Sequence, residues 1–225
     1  MAEEISEAEG VIRFHAEHRR ERLAEHELGE PARVLAAWRR VARALGVLGC
    51  DPDRYGGAAF GNISLRVGAA NAPHGLRGFL ISGTQTGERE VVGLESFALV
   101  TSYEIDDSRV FSRGEVLPSS ESMSHAAVYD TDAALVMVIH GHAPALWRRA
   151  SDLDLVVTDP AVPYGTPEMA GEVARALGDA RARRGRAFHR HVIAMGGHED
   201  GILAVGRDPD EAGAALASAL AAAWA

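Results

Sequence analysis

Leu135-Val136-Met137-Val138-Ile139-His140-Gly141-His142 is an apolar, partly β-branched run that closes on two histidines. Such a run reads as a buried strand, because branched side chains pack well on a pleated surface. Residues two apart on a strand project to the same face. His140 and His142 therefore stand side by side at a strand end, where two neutral ring nitrogens can share one divalent ion.

Shortly upstream, Pro118-Ser119-Ser120-Glu121 leads into a helix predicted through Tyr129, with Ser119 or Ser120 as its cap. Glu121 and His125, four residues apart, share a face of that helix. Its first turn offers free N–H groups and a positive dipole end, which suit a phosphate or carboxylate. A catalytic zinc site takes three protein ligands and keeps one position open, so a third ligand is required. His198, within Met195-Gly196-Gly197-His198-Glu199-Asp200-Gly201, is favoured, because the flanking glycines let its backbone approach another element closely. His189 and His191, in Phe188-His189-Arg190-His191, compete for the place but follow an arginine-rich segment and read as a partly exposed strand start. His15, His18, His26 and His74 read as surface residues.

Two further segments place small polar groups at strand ends: Gly61-Asn62-Ile63-Ser64-Leu65-Arg66 and Ile81-Ser82-Gly83-Thr84-Gln85-Thr86-Gly87. Backbone N–H groups at such turns can form an anion-binding nest. Asn62, Ser82, Thr84, Ser119 and Ser120 are the candidate contacts, with Arg66 as a possible helper.

Composition narrows the chemistry. At 225 residues and 47% hydrophobic, the chain can build one sizeable core. No apolar run approaches the ~20 residues that span a bilayer. The opening Met1-Ala2-Glu3-Glu4-Ile5 is unlike a signal peptide, and the lone Cys50 excludes an internal disulfide, so a cytoplasmic protein is expected. A net charge of −9 argues against a nucleic-acid partner. Arg181, Arg183, Arg184 and Arg186 are the basic exception and read as a solvated loop. The sequence contains no lysine. That removes Schiff-base aldolase chemistry, internal-aldimine pyridoxal chemistry and the Walker A loop, all of which need a lysine amine. For carbonyl chemistry, a metal is the electrophile that remains.

The organisation is that of one domain from residue 31 to 225, preceded by a charged arm or short helix over 1–30. Pro31 opens an amphipathic helix carrying Val34, Trp38, Val41 and Leu45, which stops near Gly46–Gly49. Strands are predicted over Asn62–Val67, Phe79–Ser82, Phe97–Tyr103, Val192–Met195 and Ile202–Val205. Helices are predicted from Pro144 through Trp147, over Pro167–Gly178 with Thr166 as cap, and from Asp208-Pro209 to Trp224. Plentiful strands and helices without a clean βαβ repeat point to an α/β fold, a largely antiparallel sheet between helical layers.

The segments Gly-Asn-x-Ser-x-Arg, Ser-Gly-Thr, Pro-Ser-Ser-Glu-x-x-x-His, His-x-His, Gly-Thr-Pro-Glu-Met and a glycine-flanked histidine occur in that order. In this order they resemble the class II aldolase/adducin family, from about Val34 to about Trp224. The resemblance implies a three-layer αβα fold, assembled as a homotetramer with active sites between subunits. It implies that His140, His142 and His198 hold a divalent metal, zinc foremost, and that Glu121 is the catalytic acid/base. It also implies that Asn62, Ser119 and Ser120 line a phosphate pocket, with Thr84 or, for an alignment two residues longer, Thr86-Gly87. Two departures stand out. Glu199 and Asp200 intervene between His198 and the next glycine, where they can orient the ligand or move protons. The tyrosine that the aldolases donate across the subunit interface has no match, and Tyr164 is the nearest substitute. The expected function is a metal-dependent lyase that acts on a small hydroxy-carbonyl substrate, phosphorylated or carboxylated, through an enediolate. Epimerisation, dehydration and decarboxylation share that intermediate. The alternatives are a non-enzymatic, adducin-like assembly module and a metal-dependent hydrolase.

Overall fold

The structure is a computed structural model describing residues 11–184 and 190–225. Along the chain come β1 (His15–Arg20), α1 (Glu25–Ala44), β2 (Gly49–Cys50), β3 (Ala59–Phe60), β4 (Asn62–Arg66) and β5 (Phe79–Ser82). β6 (Phe97–Glu104), β7 (Arg109–Gly114), α2 (Ser122–Thr131), β8 (Met137–His142) and α3 (Pro144–Arg148) follow. β9 (Val156–Val157), α4 (Pro167–Arg184), β10 (Arg190–Ala194), β11 (Gly201–Gly206) and α5 (Pro209–Trp224) complete it.

Among the described residues, nine strands form one sheet in the order β1-β7-β6-β5-β4-β8-β11-β10-β9, and β2 pairs with β3 apart from it. Only the outermost pairs, β1 with β7 and β9 with β10, run parallel. The expected mostly antiparallel sheet between helical layers is what the chain forms. Alternation along the strands sorts the core onto two faces. Phe79, Ile81, Val138 and Leu203 meet Met123, Tyr129, Met169 and Val173 of α2 and α4. Leu80, Ile139, Ile202 and Ala204 meet Leu35, Leu146 and Leu216 of α1, α3 and α5. A sheet covered on both faces explains why β8 reads as a continuous apolar run.

Several boundaries differ from expectation. Helix α1 starts at Glu25, with Pro31 inside it, so the boundary drawn at residue 30 falls within a helix. Proline forfeits one helical hydrogen bond there, but Leu28, Ala32 and Leu35 are buried on the same stripe and hold the turn against the core. That stripe continues through Arg39 and Ala42, so the buried face is turned from the predicted one and Val41 is exposed. Residues 15–20 form a strand of the main sheet, where the ladder to β7 prevails over their polar composition. Helix α2 starts one residue late, with Glu121 at the N-cap position and no side-chain cap. Ser119 and Ser122 close the turn before it: Ser122 Oγ donates to the Ser119 carbonyl at 2.6 Å, and Ser119 Oγ accepts from Glu121 N at 3.3 Å. Arg181, Arg183 and Arg184 lie in the last turns of α4 instead of a loop, whereas Arg186 is outside the described residues. Thr166 does cap α4, accepting from Met169 N at 3.2 Å.

Asp208 caps α5 by accepting from Glu211 N at 2.8 Å. This helix packs on β10 and β11, the hairpin whose turn carries His198. Replacing Asp208 with Ala should lower unfolding free energy by about 1 kcal/mol; urea denaturation checks this, and an unchanged midpoint would show that the cap contributes nothing.

Candidate metal centre

The site is a product of strand register. His140 pairs across the ladder with Asn62 on β4 and with Leu203 on β11, and His142 pairs with Gly201. Val138 points to the α2 and α4 side, so its i+2 and i+4 neighbours His140 and His142 do as well. His198 arrives from the β10–β11 turn, whose closure is set by Met195 N donating to Gly201 O at 2.8 Å and Gly201 N to His198 O at 2.9 Å. The three side chains are buried, and their ligand nitrogens all lie within 4.8 Å of one another. Ring centroids are 5.2 Å apart for His140–His142, 5.0 Å for His140–His198 and 4.7 Å for His142–His198.

His140 Nδ1 lies 3.1 Å from the Ile202 carbonyl. An oxygen there accepts a hydrogen bond, so Nδ1 carries the proton and the Nε2 lone pair is the one presented for ligation. Three buried imidazoles with such an orienting contact fit a divalent cation. His189, the rival ligand, lies outside the described residues. His191, buried on β10, is not in this cluster.

Glycine makes two of these placements possible. A Cβ at Gly197 would collide with the carbonyl of Val162, so only glycine lets the His198 turn seat against the 158–166 loop. A Cβ at Gly141 would lie 2.9 Å from the Val47 carbonyl, the group that accepts the His142 N–H at 2.8 Å.

Glu121, 1% exposed, brings Oε1 to 3.9 Å from His198 Nδ1 and accepts from Ser124 Oγ through Oε2 at 3.1 Å. Its backbone, at φ −89° and ψ 9°, occupies the sparsely used bridge region that active-site residues often adopt. His125 shares its helix face but binds elsewhere: Nδ1 meets Ser64 Oγ at 2.7 Å, and burial pushes its pKa down to about 3, so it stays neutral.

A cleft of about 30 Å³ adjoins the cluster through Asn62, the cross-strand neighbour of His140, and is lined by Asn62, Ser82, Thr84, Thr86, Ser119, Ser120 and Arg39. All five predicted anion contacts are thus brought together. Both threonine alternatives reach the cleft. Ser82 Oγ, however, takes the Ile63 N–H at 3.2 Å and serves the backbone. Arg66, the suggested helper, does not line the cleft.

Glu199 is exposed and contributes no contact to the cluster. Asp200, with φ +63°, turns away and accepts from Tyr55 OH at 2.7 Å. Tyr55 packs edge-on against His142 at 4.6 Å between centroids, so Asp200 is linked to the cluster through a tyrosine at His142. Burial, then the Asp200 contact, hold the Tyr55 phenol well above its ordinary pKa. Tyr164 stacks on His198 at 4.2 Å and 17°, with the Arg13 guanidinium 4.8 Å from its ring centre. Tyr55 and Arg39 were not anticipated. An arginine in the stripe Leu35, Arg39, Ala42 was the readable signal for one; Tyr55-Gly56-Gly57 resembles any turn.

A family model described as the class II aldolase and adducin N-terminal domain matches residues 51–223. Among solved structures, an L-fuculose 1-phosphate aldolase is 19% identical, with 89% of this chain and 87% of that one covered and a TM-score of 0.62. A sugar-phosphate aldolase from Thermotoga maritima is 15% identical, covering 87% and 94%, with a TM-score of 0.63. The N-terminal class II aldolase domain of a conserved protein from Thermoplasma acidophilum is 17% identical, covering 90% and 96%, with a TM-score of 0.54. At these identities the likeness is one of fold. Comparison with curated proteins finds no match.

Gly141→Ala should push Val47 away from β8 and tilt His142, weakening divalent-metal affinity at least about tenfold, as changes just behind metal ligands do. Competition with a chelator checks this, and wild-type affinity would refute the tight approach described here.

Proposed function

Because the chain belongs to the class II aldolase and adducin family, we propose that it is a metal-dependent lyase acting on a small hydroxy-carbonyl compound that carries a phosphate. The observation that carries the reading is the convergence of a buried carboxylate, Glu121, with three buried histidines beside a hydroxyl-lined cleft. Desolvating an acid costs free energy, and an assembly module gains nothing in return for it. The family match, and the sugar-phosphate substrates that the neighbouring aldolases' names declare, support the substrate class.

His140, His142 and His198 would hold a divalent ion, zinc by their nitrogen donor set, which supplies Lewis-acid polarisation of a substrate carbonyl. Glu121 Oε1, on the His198 side of the cluster, takes or returns the proton at the carbon next to that carbonyl. Ser124 holds the other oxygen, so the carboxylate keeps one orientation while it does so. Asn62, Thr84, Ser119 and Ser120 bind the phosphate and fix which carbon faces Glu121. Tyr164 and Tyr55 cover the imidazoles and keep bulk water from their rings. The same residues serve cleavage, epimerisation or decarboxylation, according to which bond the bound substrate aligns. A homotetramer in the cytoplasm is part of this proposal, and sedimentation tests the assembly.

His140→Ala should abolish stoichiometric divalent metal in the purified protein while circular dichroism stays near wild type; undiminished metal would remove His140 as a ligand. Glu121→Gln should retain the metal yet slow deuterium exchange at the carbon beside the carbonyl by about 10²-fold or more. Proton NMR of phosphorylated hydroxy-ketones in heavy water reads this. No exchange by the wild-type protein with any member of that panel would sink the lyase assignment.

A further inference from the structure

Arg39 sits on the core face of α1, one turn from Leu35, and is 2% exposed. A buried guanidinium is costly unless hydrogen bonds or an opposite charge compensate it. Here only backbone carbonyls do. Nη1 donates to Arg89 O at 2.7 Å, and Nη2 donates to Thr86 O at 2.7 Å and to Gly87 O at 3.1 Å. Arg43, one turn further along α1, donates to the same Gly87 carbonyl. Among the described residues, no carboxylate lies within 4.0 Å of Arg39, Arg43 or Arg89. Glu95 is an acid whose charge is felt by way of Arg89. Burial, then Arg43 and Arg89, lower the Arg39 pKa to about 10, which leaves it a cation at neutral pH.

The loop that Arg39 grips is the wall of the cleft, and Arg39 itself lines it. Across from it, Asn62 is 6% exposed and its Oδ1 has no hydrogen-bond partner. A carboxamide can present either its oxygen or its NH2 group by rotation. A buried amide oxygen without a partner, beside a buried cation that carbonyls solvate but no carboxylate neutralises, describes half of a binding site. The missing half is anionic, and hydroxyl and amide groups approaching from several elements suit a tetrahedral group with three acceptor oxygens.

We infer that Arg39 sets the charge preference of this cleft, so that the Gly83–Gly87 loop with Asn62, Ser119 and Ser120 selects a phosphate dianion over a singly charged or neutral group. The inference rests on the reading of the cleft as the substrate's anion pocket. Arg39 contributes in two ways: it fixes the loop through three carbonyls, and its charge sets the potential at the cleft floor. In a water-poor setting a dianion gains more from that potential than a monoanion does.

Calorimetric titration of inorganic phosphate into the metal-loaded protein tests this. Wild type should bind phosphate saturably, and Arg39→Met should bind it at least about tenfold more weakly. Arg39→Lys keeps the charge but loses the planar fork, so it should bind more weakly than wild type yet keep the dianion preference. That preference is the ratio of affinities at about pH 8 and about pH 6, which straddle the second phosphate ionisation. It should collapse in the Met variant alone. Equal affinity in wild type and Arg39→Met, or equal loss of the ratio in both variants, overturns the inference. Phosphate held by the metal instead of the cleft would be insensitive to Arg39 and overturns it likewise. Should Arg39→Met not fold, amide exchange in the wild-type Gly83–Glu90 loop decides: slowing on phosphate addition supports the inference, and unchanged exchange overturns it. Metal content measured in parallel separates the two readings. Phosphate binding without any divalent ion would sink the lyase assignment alone; a metal-loaded protein blind to phosphate would sink the role of Arg39 together with the phosphate reading of the cleft, and leave the metal-dependent lyase standing.

Discussion

The hydrogen bond from His140 to the Ile202 carbonyl ties the chemistry of this protein to the register of its sheet. β8 lies between β4 and β11, and the ladders to both neighbours fix where His140 and His142 stand along it. A slip of one residue would turn both imidazoles to the opposite face, away from Glu121. The same β11 that supplies the orienting carbonyl begins at the turn bearing His198. Two of the three ligands and the reference point for the third therefore belong to one antiparallel pair. Moving His140 or His142 would require breaking the ladder, and His198 is held to it by the turn bonds from His198 N to Met195 O and from Gly201 N to His198 O.

Charge is distributed in a consistent way around this frame. The acid, Glu121, is buried on the His198 side, and the cation, Arg39, is buried in the lining of the cleft. Each would be costly alone in an apolar interior. Their separation on two elements, the start of α2 and the middle of α1, prevents them from cancelling as an ion pair. An acid and a cation held apart can act on two different parts of one bound molecule. Arginine suits the second role in a chain without lysine, because a planar fork can serve three loop carbonyls while remaining charged.

The strand that ends in the histidine pair and the segments that line the cleft were legible because their signals are local. His-Gly-His at the end of an apolar run, serines before a glutamate, and glycines flanking a histidine each have a physical meaning within a few residues. Val41 was placed on the wrong side of α1 because a hydrophobic stripe and its neighbour one residue over differ little in an alanine-rich helix; burial of Leu35 and Ala42 decided the matter. β1 escaped notice because His15–Arg20 has no apolar alternation, and its partner β7 lies some ninety residues away in sequence. The link from Asp200 through Tyr55 to His142 is also non-local: |i−j| is 145 between the first two. No pattern along the chain announces a contact of that span.

Tyr164 shows how such contacts change the reading of a motif. In the sequence it is only a tyrosine before Gly165-Thr166-Pro167. In the fold, Gly196 and Gly197 pass so close to the backbone of Thr158 and Val162 that the 158–166 loop is pressed onto the His198 turn. The ring is then delivered flat against His198 by its own chain. The aromatic cover of that ligand thus requires no second subunit. Its position follows from two glycines that admit the loop, and the Arg13 guanidinium near the same ring draws the N-terminal segment into the surroundings of the site. Residues 13–20, part of the stretch that reads as a charged arm or short helix, are thereby joined to the histidine cluster through one stacked tyrosine, and the pairing of β1 with β7 holds them there.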